Sequence, residues 1–332
     1  MRPSASQTLL VAGASGTIGA AVVARALERG WQVLALLRSD APAPVASSAG
    51  AGRLVCLRAA SMSLASLEET LAGHRFDALV SCVASRSGVA EDAWAVDYQL
   101  NRNLLTLALD RGCRCFVLLS AICVQKPRLA FQRAKLAFEG ELAESAMPYA
   151  IVRATAFFKS LSGQIRRVRD GKPFLIFGDG EGTACAPIAA QDLATFLLDC
   201  IDDSTRHGRV LPLGGPGPAL TPRAQGELLF ALTGRQPRFR SVPASILSTA
   251  AAVLGVFGRW LPALAEKAEL ARIGHYYATE SMLLWDTERE RYDARATPAF
   301  GTMTLESYYR ERLQTDADDE LDRDLRLFDR NP

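Results

Sequence analysis

Three glycines near the start of the chain have the spacing needed to bind a phosphate group. Gly13, Gly16 and Gly19 lie in the run GASGTIG, directly after an apolar segment. They allow a tight turn, a close approach of the backbone to a pyrophosphate and close packing of a helix on a strand, and the N-terminus of that helix attracts anions. Such a turn can be a plain connector, but its position between a strand and a helix favours a dinucleotide-binding loop. The candidate contacts are Gly13, Ala14, Ser15, Gly16, Thr17, Ile18 and Gly19.

The residue after the second apolar segment bears on the choice between NADH and NADPH. An NAD-dependent enzyme places an acidic residue there for the ribose 2′-hydroxyl, whereas this chain has Arg38. A guanidinium group can bind a 2′-phosphate through two hydrogen bonds, so the sequence favours NADPH. Two alternatives stay open: Arg38 is an ordinary surface arginine, or Asp40 restores some NAD binding if the loop folds back.

Small residues follow the fourth apolar segment, where this fold lets the ribose of the cofactor approach the backbone. They are Cys82, Val83, Ala84 and Ser85, and we expect them to contact the cofactor. A simple tight strand end is the alternative.

A serine and a lysine near the fifth apolar segment are the candidates for catalysis. Many short-chain dehydrogenases pair a serine with a Tyr-x-x-x-Lys motif, in which the lysine lowers the pKa of the tyrosine so that the phenol transfers a proton. Here Ser120 ends the segment and Lys135 follows on the next helix, but Phe131 stands where the tyrosine would be. Alcohol and ketone chemistry is therefore not expected, and Lys135 is left to hold the nicotinamide ribose or to act alone. A surface lysine and a serine that caps a strand are the alternatives.

These residues need a parallel sheet to bring them together. Short apolar runs alternate with amphipathic stretches, as βαβ units require. The runs predict strands at residues 8–12, 32–37, 53–57, 78–81, 115–119 and 150–153, with the first helices centred near Val22, Leu67 and Leu105. The fold class is therefore α/β, a Rossmann doubly wound parallel sheet with a smaller C-terminal substrate lobe.

The predicted domains follow from where the strand pattern ends. Residues 1–155 form the NADP-binding Rossmann domain, and residues 156–314 form mainly the substrate lobe, with 183–213 returning to the Rossmann core. Residues 40–52 are predicted to be a flexible loop at the adenine end of the cofactor, and 315–332 a charged tail. The apolar run 246–257 is too short to span a bilayer. It is expected to be a core helix, although it permits peripheral membrane contact.

Composition excludes several classes of protein. A net charge of +2 is too small for a nucleic-acid partner. The seven cysteines lack the spacing of a zinc site or a disulfide framework, so we expect reduced packing residues. Few residues precede the first predicted strand, and a signal peptide does not fit there. We therefore expect a cytoplasmic protein.

Longer strings point to one family. The chain resembles the divinyl chlorophyllide a 8-vinyl reductases, which are NADPH-dependent, atypical members of the short-chain dehydrogenase superfamily that are similar to the isoflavone reductases. The resemblance runs from Gly13 to about Tyr308. Its strings are FVLLSAICVQKP (116–127), FQRAK (131–135), RATAFFKS (153–160), GKPF (171–174), FGDG (177–180), GGPG (214–217), ALTP (219–222) and IGHYYATESM (273–282).

The resemblance implies reduction of the C8 vinyl group of divinyl chlorophyllide a to ethyl, with NADPH as the reductant, in chlorophyll or bacteriochlorophyll biosynthesis for photosynthesis. The substrate is then a magnesium-containing tetrapyrrole. The lack of a transit peptide suggests a bacterial enzyme of the cytoplasm, peripheral at most to photosynthetic membranes.

That substrate suggests roles for further residues. Aromatic rings suit a flat macrocycle, and two follow the sixth strand: Phe157, which is also a candidate cofactor contact, and Phe158. Lys159 is a candidate for a substrate carboxylate, Lys135 or Tyr98 for the proton donor, and His275 or Tyr276 for the substrate magnesium. Core packing and ordinary surface positions are the alternatives.

Two other functions stay open. One is an NADPH-dependent reductase of another conjugated double bond, as in isoflavone-reductase-like proteins, which also keep the lysine and lose the tyrosine. The other is a non-catalytic NADPH-binding sensor or assembly factor. The sequence leaves the oligomeric state undetermined.

Overall fold

The chain divides into two compact units. A computed structural model describes residues 7–44, 52–258 and 260–315. Unit 1 is formed by the described parts of Met1–Ala154, Ala190–Leu213 and Leu254–Leu270, and unit 2 by those of Thr155–Ala189, Gly214–Val253 and Ala271–Pro332. The sequence-based domain boundaries, which gave 183–213 to the first domain and everything from 214 to 314 to the second, stay a prediction.

The strands have the following bounds. They are β1 (Thr8–Ala12), β2 (Gln32–Arg38), β3 (Arg53–Ala59), β4 (Ala78–Ser81), β5 (Cys115–Ala121), β6 (Tyr149–Ala154), β7 (Phe174–Phe177), β8 (Arg209–Leu213), β9 (Phe239–Val242), β10 (Leu284–Asp286) and β11 (Arg291–Asp293).

The helices are α1 (Thr17–Glu28), α2 (Leu64–Thr70), α3 (Ala90–Ala93), α4 (Asn101–Asp110), α5 (Ala130–Glu144), α6 (Phe158–Leu161), α7 (Ile165–Arg169), α8 (Ala190–Asp202), α9 (Pro222–Thr233), α10 (Ser245–Phe257), α11 (Pro262–Thr279) and α12 (Leu305–Gln314). A π-helical segment, Trp94–Leu100, joins α3 to α4.

Unit 1 is built on a seven-stranded parallel sheet with the order β3-β2-β1-β4-β5-β6-β8. Strand β1 lies centrally and is almost wholly buried, as its continuous apolar sequence requires. Leu10 of β1 shares a buried cluster with Leu104 of α4 and Phe138 of α5. Helices α1 and α8 are joined by an ion pair of 2.6 Å between Arg29 and Asp199. The predicted doubly wound α/β fold is confirmed.

Each of the six predicted strands is present, and four of them extend one or two residues further than predicted. The sequence pattern missed the seventh, β8, which pairs with β6 at the edge of the sheet. Strand β8 contains Pro212, and proline is tolerated at a sheet edge but weakens the strand signal.

Unit 2 has its own core. Strands β7 and β9 pair in parallel, and the rings of Phe174, Phe230 and Phe239 meet between them and α9. Phe158 and Tyr309 belong to the same buried cluster. A second small sheet pairs β10 with β11 antiparallel.

The apolar run 246–257 forms α10, but the prediction of a core helix is wrong. Of its described side chains only Ala251 is buried. Ile246, Val253, Val256 and Phe257 are more than half exposed. None of the helices in the described part of the chain combines the length and apolar content needed to cross a bilayer.

Two predicted segments lie mostly outside the described residues. They are the loop 40–52 and the charged tail 315–332.

Candidate cofactor and catalytic site

The glycine loop is packed as closely as a dinucleotide-binding turn requires, because two of its glycines leave no room for a side chain. Gly13 has a φ of +77°, and a Cβ there would lie 2.7 Å from the carbonyl oxygen of Cys82. A Cβ on Gly19 would lie 2.1 Å from the carbonyl oxygen of Gly13, so only glycine allows α1 to begin this close to the loop. Ser15, Gly16 and Thr17 are exposed at the start of α1, where the first-turn N–H groups have no partner within the helix. Such a turn can receive a pyrophosphate. Ala14 and Ile18 have buried side chains and can offer only their backbone.

Arg38 ends β2 with its side chain 46% exposed, and its Nε lies 3.7 Å from Oδ1 of Asp40. Asp40 therefore offsets part of the positive charge of Arg38 and leaves the arginine side chain accessible to solvent. A second arginine supports the same turn, since Nη1 of Arg58 donates to the carbonyl oxygens of Ser39 at 3.0 Å and Ala41 at 2.7 Å. The sequence analysis did not single out Arg58.

The segment after β4 lies against the glycine loop on one side and a helix on the other. Ser81 donates to Oδ1 of Asn101 at 2.6 Å. Ser85 donates to Oδ2 of Asp97 through its hydroxyl at 2.7 Å. Val83 packs on the hydrophobic core and Ala84 is partly exposed. Burial raises the pKa of the Cys82 thiol to about 12, opposed by the positive charge of Lys135. Cys82 is therefore a neutral thiol.

Lys135 forms a buried ion pair. Its Nζ lies 2.8 Å from Oδ1 of Asp97, and the two side chains are 11% and 0% exposed. Lys135 lies one helical turn after Phe131, which is half-buried in the first turn of α5. Buried Gln132 holds that turn: it accepts from the N–H groups of Arg128 and Leu129. Lys135 thus faces a carboxylate, not a phenol.

Ser120 is committed to a different buried group. Its hydroxyl donates to Oε1 of Glu139 at 2.5 Å, and Arg153 donates to the same carboxylate through Nε and Nη2. Ser120 is 3% exposed and Glu139 4% exposed. The geometry therefore does not support the predicted catalytic and cofactor-binding role of Ser120, because its hydroxyl already has a buried acceptor.

Tyr98 has a partner of its own. Its hydroxyl hydrogen-bonds Glu141, which raises the pKa of the phenol together with partial burial. Its ring packs edge-on against Trp94 at 5.4 Å. Proton transfer from Tyr98 stays a prediction, and the hydrogen bond to Glu141 makes its phenol a weaker acid.

The predicted substrate residues belong to unit 2. Phe157 and Lys159 are half-buried, and Lys159 has no ion pair with any described residue. Phe158 is 3% exposed and packs on Tyr308 with 5.4 Å between ring centroids, so core packing accounts for it. Tyr276 is also 3% exposed, with its ring edge-on to Tyr277, so its predicted contact with the substrate magnesium stays a prediction that core packing does not favour. His275 is half-buried on α11.

Sequence reasoning missed Asp97, Asn101, Glu139 and Arg153. Spacing is the signal that could have drawn attention to three of them. Asp97 and Asn101 lie four residues apart, and Lys135 and Glu139 have the same spacing on α5. Residues four apart share one face of a helix, but the spacing does not say whether that face is buried.

Comparison with known proteins finds a matching family model and several relatives. A family model described as NAD(P)H-binding matches residues 13–204. The chain is 46% identical to the chloroplastic divinyl chlorophyllide a 8-vinyl-reductase of Cucumis sativus, over 92% of this chain and 76% of that protein. It is 46% identical to the same reductase of Zea mays, over 94% of this chain and 80% of that protein. Among solved structures, MoeE5 in complex with UDP-glucose and NAD has a TM-score of 0.66 at 18% identity. The match covers 93% of this chain and 100% of MoeE5. That likeness shows the fold alone.

The expectation of a bacterial cytoplasmic protein is contradicted by these relatives, which are chloroplastic. It rested on the few residues that precede β1, and the point at which this chain begins does not determine its compartment. The chain is 44–46% identical to these reductases over more than nine-tenths of its length, and its residues 13–204 match the NAD(P)H-binding family model. It therefore belongs to the divinyl chlorophyllide a 8-vinyl-reductase family, whose members are NAD(P)H-dependent oxidoreductases.

Proposed function

We propose that this protein reduces the C8 vinyl group of divinyl chlorophyllide a to ethyl, with NADPH as the reductant, in chlorophyll or bacteriochlorophyll biosynthesis. The observation that carries the proposal is the 46% identity to the cucumber reductase over 92% of this chain. A lysine paired with a carboxylate in place of a tyrosine is consistent with reduction of a carbon–carbon double bond, which forms no alkoxide that a phenol would have to protonate.

Arg38 is the reason for proposing NADPH, and not NADH, as the cofactor. Its guanidinium group is 46% exposed at the end of β2, and Asp40 approaches it only at 3.7 Å. A 2′-phosphate carries more negative charge than Asp40 and can accept two hydrogen bonds from the guanidinium group. Binding of NADPH therefore displaces a weak surface pair.

The reaction adds one hydride and one proton across the vinyl group. The bound cofactor supplies the hydride. Because the vinyl group is conjugated with the tetrapyrrole, addition at its terminal carbon leaves negative charge that the ring and its magnesium spread. The adjacent carbon then takes the proton, which completes the ethyl group. The protein has to orient the vinyl group and supply that proton.

Lys135 is the proposed proton donor in unit 1, since its ammonium group is fixed by Asp97 and remains partly exposed. In unit 2, Phe157 and Lys159 are the remaining candidates for contact with the macrocycle and with a substrate carboxylate. Half-buried His275 stays a candidate for the magnesium.

The test is to incubate purified protein with divinyl chlorophyllide a and NADPH, or with NADH in parallel, and to separate the pigments by chromatography. Appearance of the monovinyl pigment with NADPH supports the proposal. Unchanged pigment from protein that binds NADPH, shown by fluorescence of the reduced nicotinamide, contradicts it. That outcome would leave another conjugated alkene as the substrate, or a cofactor-binding protein without catalysis. Lys135→Met is the matched inactive control.

A further inference from the structure

Asp97 is a buried carboxylate that the proposed reaction does not itself require. It is 1% exposed. Burial of an ionised carboxylate is strongly unfavourable unless the charge is paired and hydrogen-bonded. Oδ1 lies 2.8 Å from Nζ of Lys135 as an ion pair without hydrogen-bond geometry, and Oδ2 accepts from the hydroxyl of Ser85 at 2.7 Å and from its N–H at 3.4 Å. The carboxylate is thus held by Ser85, in the loop after β4, as well as by the charge of the lysine.

The helix that carries Asp97 is wound to place it there. The segment Trp94–Leu100 is a π-helix, which has more residues in each turn than an α-helix. One inserted residue rotates a side chain by about 100° around the helix axis. The Asn101 side chain donates to the carbonyl oxygen of Asp97 at 2.9 Å, and Ser81 donates to Asn101 at 2.6 Å. The π turn is therefore tied to Ser81 of β4 through Asn101, and directly to Ser85 in the loop after β4.

The charge of Lys135 reaches the segment that follows β4. It acts electrostatically on the thiol of Cys82, the first residue after that strand. The backbone of Cys82 in turn lies so close to Gly13 that a Cβ on that glycine would meet its carbonyl oxygen at 2.7 Å. One buried anion thus fixes the direction of a long, flexible side chain toward the proposed cofactor site.

We infer that Asp97 is a positioning residue that orients the ammonium group of Lys135 toward the cofactor and substrate, through a π turn anchored by Ser81 and Ser85. This inference rests on the proposed function for the role of Lys135. In enzymes that keep the Tyr-x-x-x-Lys motif the lysine serves a phenol. Here Phe131 offers no acceptor, and Asp97 supplies one from another helix.

The first experiment measures NADPH affinity and needs no pigment. Fluorescence titration gives the dissociation constant for the wild type, Asp97→Asn, Lys135→Met and the double variant. We expect each single change to weaken binding by about 10-fold and the double variant to be no weaker than Lys135→Met, because residues that act through one contact are not additive. Multiplying effects, or an unchanged affinity in Asp97→Asn, would overturn the inference.

The second experiment uses the steady-state kinetics of vinyl reduction, in which a positioning residue changes kcat but not KM for the pigment. In Asp97→Asn, kcat should fall by about 100-fold, as expected for a misplaced catalytic group, while KM for the pigment stays within about threefold of the wild type. An equal loss in both parameters, or an unchanged kcat, would count against the inference. Glu141→Gln is the control: it removes a carboxylate that contacts Arg102 and Tyr98 on the surface of unit 1, and its kcat should match the wild type.

A variant that keeps the charge of Asp97 provides a test that holds even if Asp97→Asn fails to fold. Ser85→Ala removes the 2.7 Å hydrogen bond to Asp97 and leaves the carboxylate in place. It should show a smaller loss of kcat, with KM for the pigment again close to the wild type, and an unaltered kcat would count against the inference. The proposed function fails separately, when the wild type itself leaves the pigment unchanged.

Discussion

The Ser120 hydroxyl donates to Oε1 of Glu139 across the interface between β5 and α5, at a distance of 2.5 Å. Arg153, which neighbours Ser120 in the sheet register, donates to the same carboxylate. The three side chains link β5, β6 and α5 inside unit 1. This group holds in place the helix that carries Lys135, and we expect the serine to contribute more to stability than to chemistry.

Ser120→Ala should therefore affect folding more than turnover. The change removes one donor from a buried carboxylate that Arg153 still neutralises, and we expect the free energy of unfolding to fall by about 1–3 kcal/mol. Vinyl reduction at a temperature where the variant is folded should stay within about threefold of the wild type, since no lost contact reaches the reacting atoms. Urea unfolding and steady-state kinetics measure the two effects. A 100-fold loss of kcat with unchanged stability would restore Ser120 to the catalytic site.

Arg38→Ala tests the assignment of the cofactor phosphate. Loss of a charge-assisted pair of hydrogen bonds should raise KM for NADPH by about 10- to 100-fold. KM for NADH, which lacks the 2′-phosphate, should change little. Arg58→Ala is the matched control, because Arg58 supports the same turn through the backbone oxygens of Ser39 and Ala41. It should raise both values by a similar factor. An equal rise for the two cofactors in Arg38→Ala would contradict the phosphate role.

Six strands of the large sheet were predictable from sequence because each is an apolar run bounded by loop residues, and the glycine loop because its spacing has one steric explanation at Gly13 and Gly19. The partners of the catalytic candidates were not. Asp97, which pairs with Lys135, lies in a π-helical turn, whereas the sequence periodicity around Leu105 indicated an ordinary α-helix. Ser120 has the residue type and position of a catalytic serine, and its commitment to Glu139 depends on a neighbouring helix. The local sequence pattern predicts which strand or helix carries a residue, whereas packing between distant segments determines which side chains meet.

Gly19→Ala and Gly16→Ala should separate steric need from flexibility in the cofactor loop. A Cβ on Gly19 would lie 2.1 Å from the Gly13 carbonyl oxygen, whereas one on Gly16 would lie 3.3 Å from it. The first contact forces backbone atoms apart and displaces the start of α1, where the pyrophosphate is proposed to bind; the second requires a shift of a few tenths of an ångström. We expect Gly19→Ala to abolish measurable NADPH binding and Gly16→Ala to weaken it less. Equal losses in the two variants would show that the steric argument is incorrect.

The buried thiols of unit 1 should make the protein sensitive to alkali. Burial raises the pKa of Cys113 and Cys200 to about 11, and of Cys115 to about 12, from an ordinary value of 9.0. Below pH 9 these thiols are protonated in the folded and unfolded chain alike, so their contribution to stability is complete. Above pH 9 the unfolded chain releases their protons first, and the free energy of unfolding should fall by up to about 1.4 kcal/mol per pH unit for each thiol until the folded pKa is reached.

Urea unfolding at pH 8 and pH 10 measures that fall. Cys115→Ala should reduce the difference between the two pH values, because one buried titrating group is gone. Cys56→Ala is the control, since Cys56 is exposed. If removal of Cys56 reduced the difference as much as removal of Cys115, the alkaline sensitivity would have to come from groups other than the buried thiols.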